Sequence, residues 1–116
     1  MVGLSNNAAR AAYGVALRLK SLGMEIIPVH PSAPLVHGSQ GFSSLAEVPG
    51  AVDVVDVFVN ATLAGAVVDQ AIERGASAVW LQLDVVDHDA ADRAMAAGLD
   101  VVMDRCPAIE AGRLAL

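Results

Sequence analysis

The chain has 116 residues, is 55% hydrophobic with much alanine and valine, and carries a formal charge of −6 with a pI near 4.7. That is enough for one domain, 1–116, with a real core, and too apolar for a disordered segment. Seven basic residues without a basic run argue against nucleic acid, no apolar run nears the roughly 20 residues that span a bilayer, and one cysteine cannot form an internal disulfide, which fits a reducing cytoplasm.

In chain order, Val2-Gly3-Leu4-Ser5-Asn6-Asn7 reads as a strand end, a tight polar turn and the approach to a helix. Gly3 lets the backbone turn sharply or a ligand approach closely. Ser5, Asn6 and Asn7 are N-cap residue types, and a helix N-terminus facing such a turn attracts anions. Apolar residues at helical spacing predict a helix from about Ala8 to Leu22, ended by Gly23. Ile26-Ile27-Pro28-Val29-His30 is a short strand, with Pro28 marking a sheet edge or an irregularity. Residues 31–50 read as loop, with a short strand near Gln40–Phe42 and a helical turn near Ser44–Val48. The β-branched run 52–59 predicts a central strand, and Thr62 caps a helix from about Leu63 to Arg74 that stops at Gly75. A strand at 78–83, a helix over 89–97 capped by Asp87, a strand at 100–103 and a closing helix opened by Pro107 complete the series.

Helices alternating with near-continuous apolar strands mean an α/β fold: a doubly wound parallel sheet in three α/β/α layers. Only Met1 and Val2 precede the Gly3 turn, so the first strand is short or truncated. In such sheets ligands bind beyond the carboxyl ends of the strands, which predicts a cleft there. The polar residues at those ends are Gly3 and Ser5, His30, Asn60, Gln82 and Asp84, and Asp104, Arg105 and Cys106. His30, His37 and His88 have no metal-ligand spacing, and Ser5 has no base and acid partners, so neither a metal nor a catalytic residue is assigned. Asp56, inside an apolar strand, needs a structural hydrogen bond. Cys106 beside Arg105 and ahead of a helix reads either as a partly activated thiol or as a small buried residue filling space.

Val79-Trp80-Leu81-Gln82-Leu83 and Val102-Met103-Asp104-Arg105-Cys106, with Val2-Gly3-Leu4-Ser5, Tyr13-Gly14-Val15-Ala16 and Ile26-Ile27-Pro28-Val29, resemble the small bacterial coenzyme A-binding proteins. Their Rossmann-like domain is similar to the coenzyme A-binding domain of succinyl-CoA synthetase. The resemblance implies coenzyme A, or an acyl-CoA, over Gly3, Ser5 and Asn6, along His30–Pro31 and Phe58–Asn60, and beside Trp80 and Gln82. Arg10 and Arg105 are then the phosphate partners, with Tyr13 and Cys106 completing the set. The chain departs from that family at Asp84, where glycine is common, at Val59 and Asn60, where arginines are common, and at His30, where asparagine often stands.

Three functions are consistent with these residues. The first is non-enzymatic binding of coenzyme A or an acyl-CoA. The second is a ligase-like or nucleotide-cofactor-dependent enzyme acting with a partner chain. The third is a degenerate scaffold, a homodimer or partner subunit, that no longer binds the ligand; Asp84 and the missing arginines favour it over an intact binder.

Overall fold

A computed structural model describes residues 1–113. Its elements are α1 (Ala11–Ser21), β1 (Leu35–Val36), β2 (Ser39–Gln40), a 3-10 turn at Leu45–Glu47, β3 (Val54–Val57), α2 (Ala61–Arg74), β4 (Ala78–Leu81), α3 (His88–Ala96), β5 (Asp100–Val102) and α4 (Pro107–Arg113). Strands β3, β4 and β5 pair in parallel, with Val55, Val79 and Val101 in register. Parallel bridges continue the sheet from Val57 to Val2, from Val2 to Val29 and from Val29 to Phe42. From Val2 the chain therefore leads outward through Val29 and Phe42 on one side and through β3, β4 and β5 on the other. This is the doubly wound arrangement expected from the alternation of helices and strands.

Val2 donates to the Asp56 carbonyl at 2.9 Å and accepts from the Phe58 N–H at 2.9 Å, while Gly3 donates to the Val29 carbonyl at 2.8 Å. Pro28 is not on an outermost strand, but its missing N–H lies toward the outer neighbour. The Pro28 carbonyl accepts from Phe42, whereas the Val29 N–H turns inward to Met1. An isolated bridge at Val29 and Phe42 is all that joins these segments, so the sheet tolerates the lost donor.

Period-2 alternation sends Val55 and Val57 to one face and Asp56 and Phe58 to the other. The first face packs Val55, Val57, Val79 and Leu81 against Val67, Val68 and Ala71 of α2 and Ala90 and Ala94 of α3. The second carries Leu4, Ala12, Val15, Ala16, Leu19 and Cys106, with Phe58 and Tyr13 packed alongside. Each fully buried Val or Leu contributes about 1.5–3 kcal/mol by leaving water. Helices on both faces explain why the strands are apolar runs rather than alternating ones. No helix among the described residues is long and apolar enough to cross a membrane.

Several boundaries differ from the sequence expectation. Helix α1 starts at Ala11, not Ala8. The Ser5 hydroxyl accepts from the Asn7 N–H, and Asn7 accepts from Ala9 through Oδ1 and from Arg10 through its carbonyl. These local bonds hold the segment in turns and occupy the side chains expected to cap the helix. Helix α2 begins at Ala61 after Asn60, so Thr62 lies inside it. Residues 35–40 form an antiparallel hairpin where loop was expected. Its tip, His37-Gly38, has φ of +49° and +81°, the two left-handed residues of a type I′ turn.

Candidate functional site

The sheet reverses its direction of winding between Val2 and β3. Loops leaving the carboxyl ends of these strands go to opposite faces, Leu4–Arg10 into α1 and Phe58–Asn60 into α2. Gly3 is fixed there by its neighbour. Its φ is +97°, and an added Cβ would lie 2.4 Å from the Phe58 carbonyl oxygen. Glycine is thus required for close approach of two backbones, which the sequence left open between a sharp turn and a ligand contact.

Neither helix that starts at this point is capped by a side chain. Arg10 before α1 and Asn60 before α2 both lack a side-chain cap hydrogen bond. The Tyr13 and Leu63 N–H groups bond back to the Arg10 and Asn60 carbonyls, and no side chain caps the amides ahead of them, Ala11 and Ala12 in α1 and Ala61 and Thr62 in α2, on opposite faces of the sheet. Each N-terminus carries the partial positive charge of its macrodipole, roughly half an elementary charge. Helix α3 is the contrast: the Asp87 carboxylate accepts from the Ala90 N–H at 3.0 Å and closes that end.

The predicted residues divide into two groups. Ser5 is half-buried, Asn6 is exposed and donates to the Leu35 carbonyl at 2.6 Å, and Arg10 is exposed at the cap position, ahead of the helix expected to begin at Ala8. The Tyr13 ring lies 4.3 Å from the His37 ring, whose Nε2 is 2.8 Å from the Tyr13 carbonyl oxygen. His30 is half-buried, and its Nδ1 is 2.9 Å from the Ser32 hydroxyl and accepts the Ser32 N–H at 3.2 Å, which makes the pair a local turn. Pro31 and Asn60 are exposed and Phe58 is half-buried. This group follows the carboxyl ends of the Val2, Val29 and β3 segments.

The second group follows β4 and β5. Gln82 is buried, its Oε1 has no hydrogen-bond partner, and its N–H donates to the Val57 carbonyl, which sets it beside the end of β3. Trp80 donates from Nε1 to the Arg105 carbonyl at 2.7 Å. Arg105 is exposed and lies 4.0 Å from Glu110. Cys106 is buried among Leu4, Ala12 and Val15, so its side chain belongs to the core. Asp84 adopts a left-handed φ of +66°, and its N–H donates to Asp104 Oδ1 at 2.8 Å.

A cavity of about 480 Å³ lies not at this edge, where a cleft was expected, but toward the amino ends of the strands. Among its lining residues is Asp56, which sequence reasoning assigned a structural hydrogen bond. Its carboxyl has a hydrogen bond from the Val57 N–H, but Oδ1 has no partner among the described residues. Burial pushes its pKa up to about 7, partly offset by the Met1 amino group and the Val57 hydrogen bond.

Comparison with known proteins places this geometry in context. A family model described as a CoA binding domain matches residues 1–112. The uncharacterized protein YneT of Bacillus subtilis (strain 168) is 33% identical over 106 residues, covering 91% of this chain and 78% of that protein. A hypothetical protein from Pyrococcus horikoshii OT3 superposes with a TM-score of 0.94 at 36% identity, over 99% of this chain and 81% of that one. A dinucleotide-forming acetyl-coenzyme A synthetase 1 of Ca. Korarchaeum cryptofilum shares the fold at 20% identity, with a TM-score of 0.77 over 89% of this chain and 25% of that one.

Proposed function

The chain belongs to the CoA-binding domain family, and from that premise we propose that it binds coenzyme A or an acyl-CoA, without catalysing a reaction, at the carboxyl edge between Val2 and β3. The observation that carries this reading is the pair of uncapped helix N-termini, α1 and α2, at the point where the winding reverses. A pyrophosphate needs clustered N–H donors, and helix N-termini supply them without a basic side chain. A chain of net charge −6 has no long-range attraction for a polyanion, so such local donors must carry the affinity. The residues present fit the group: Gly3–Ser5 and Asn60 border the open amides, Arg10 adds a charge at the mouth of α1, and the unpartnered Gln82 Oε1 adds an acceptor beside β3. Asp84 and Asp104 lie at the ends of β4 and β5, on the other side of β3 from Val2 and the α1 amides.

Binding without chemistry is supported by the use already made of the candidate groups. The His30 nitrogen facing Ser32 accepts that residue's amide, and the cysteine packs in the core. With coenzyme A as ligand and a single buried cysteine, the cytoplasm is the compartment that fits. Isothermal titration with coenzyme A tests the reading: it predicts one site per chain, weakened at least several-fold in Arg10→Ala, since a charge-assisted contact is worth about 1.5–3 kcal/mol. Folded wild type that gives no binding heat would reject the reading in favour of a scaffold.

A further inference from the structure

Gln82 directly follows β4. It is only 7% exposed, whereas Leu83 and Asp84 after it are exposed. Alternation along the strand turns Leu81 toward α2 and α3, so Gln82 faces the side covered by α1. The register that pairs Asp56 with Trp80 sets Gln82 beside Phe58, and the Gln82 N–H donates to the Val57 carbonyl at 3.2 Å. The side chain therefore stands at the carboxyl edge, across β3 from Val2. Its Oε1 is buried and has no hydrogen-bond partner among the described residues. A buried acceptor left unpaired is costly, and such a group in a folded protein calls for an explanation.

With coenzyme A at this edge, the reading on which the next step rests, its parts take separate places. In doubly wound sheets the ribose of the adenosine half lies beyond the second strand, here the segment that ends at His30, and the pyrophosphate lies at a helix N-terminus. Val29 is on one side of Val2, and β3 and β4 are on the other. The arm that leaves the pyrophosphate away from His30 is pantetheine, and it crosses β3 toward β4, a path of roughly 5–10 Å at about 4.8 Å per strand. Pyrophosphate oxygens only accept hydrogen bonds and offer Gln82 Oε1 nothing. The secondary amides of pantetheine carry N–H donors.

We infer that Gln82 is the residue that selects the pantetheine arm, its Oε1 accepting an amide N–H of that arm. The carboxamide is neutral, so it recognises an amide without repelling the pyrophosphate, as a carboxylate would. A ligand that ends at the pyrophosphate, such as ADP, leaves Oε1 unpaired. A site built to hydrogen-bond one group of its ligand rejects a ligand lacking that group, which favours coenzyme A over simple nucleotides.

Isothermal titration of wild type and Gln82→Met with coenzyme A and with ADP tests this. Methionine keeps an unbranched side chain but is only a weak acceptor. Wild type should bind coenzyme A about ten-fold or more tighter than ADP, and the variant should lose about five-fold or more in coenzyme A affinity while keeping its ADP affinity within about two-fold. Without ligand the variant should melt at or above wild type, because the orphaned acceptor is gone. An unchanged preference in the folded variant, or an equal loss for both ligands, would overturn the role of Gln82 and leave coenzyme A binding at the edge standing. Binding of neither ligand by folded wild type would overturn both. Should the variant not fold by circular dichroism, the assigned side-chain amide signal of Gln82 in wild type replaces it. That signal should shift on saturation with coenzyme A and not with ADP; equal shifts with both, or none with either, would overturn the assignment.

Discussion

Replacing Asp84 by glycine should stabilise the protein. Asp84 is exposed and held at φ +66°, where the side chain of an L-residue is strained. That conformation costs roughly 1–2 kcal/mol, with aspartate at the lower end because its short polar side chain bonds locally. Glycine removes the strain but loses about 0.5–1 kcal/mol through its freer unfolded chain. The hydrogen bond to Asp104 Oδ1, at 2.8 Å, comes from the Asp84 backbone N–H and survives the substitution. Loss of the side chain also removes a carboxylate beside that of Asp104. The net expectation is a gain of up to about 0.5 kcal/mol from the backbone, with a few tenths more from the lost carboxylate, and a melting temperature about 1–4 °C higher. Urea denaturation and calorimetry of wild type, Asp84→Gly and Asp84→Ala measure it. Alanine removes the charge but keeps the strain, so it should fall at or below wild type. Equal stabilisation by glycine and alanine would refute the backbone argument and leave only charge repulsion.

Gly3→Ala should cost at least about 2 kcal/mol by chemical denaturation, because its Cβ would meet the Phe58 carbonyl oxygen at 2.4 Å in addition to a φ of +97°. Asp87→Ala should lose about 1 kcal/mol by removing the cap on α3, with no effect on coenzyme A binding. Asp56 makes stability fall as pH rises: the unfolded chain releases this proton near 3.8, whereas the folded one holds it to about 7. The penalty is absent below the unfolded value, grows between the two, and is complete above the folded one. Asp56→Asn should therefore exceed wild type at pH 8 by on the order of a few kcal/mol, with the gap narrowing toward pH 5. A difference independent of pH would count against a raised Asp56 pKa.

The glycine stops after α1, α2 and α3 and the β-branched run of β3 made the alternation of helices and strands readable from sequence, and with it the doubly wound sheet. The start of α1 was not readable. Ser5 and Asn7 are equally suited to capping a helix and to bonding their own neighbours, and the choice depends on where Leu4 is buried. The hairpin at 35–40 was missed because His37-Gly38 is a weaker turn signal than Asn-Gly, although the single glycine was a hint. At the candidate site the polar strand ends were legible, since period-2 patterning and strand order suffice to place them. The open N-termini of α1 and α2 were not, because an unfilled cap is a matter of geometry that no residue type announces. Nor was the unpartnered Asp56 oxygen, for sequence says only that a buried carboxylate needs donors.

Amide chemical-shift mapping with coenzyme A tests the central claim most directly, because it locates the ligand as well as detecting it. The account predicts saturable shifts concentrated at Gly3–Ala12 and Phe58–Leu63, with the first-turn amides of α1 and α2 moving together and those of the Asp87-capped α3 unmoved. An absence of shifts, or shifts centred on Ile26, Val54 and Asp56 at the opposite end of the sheet, would contradict it.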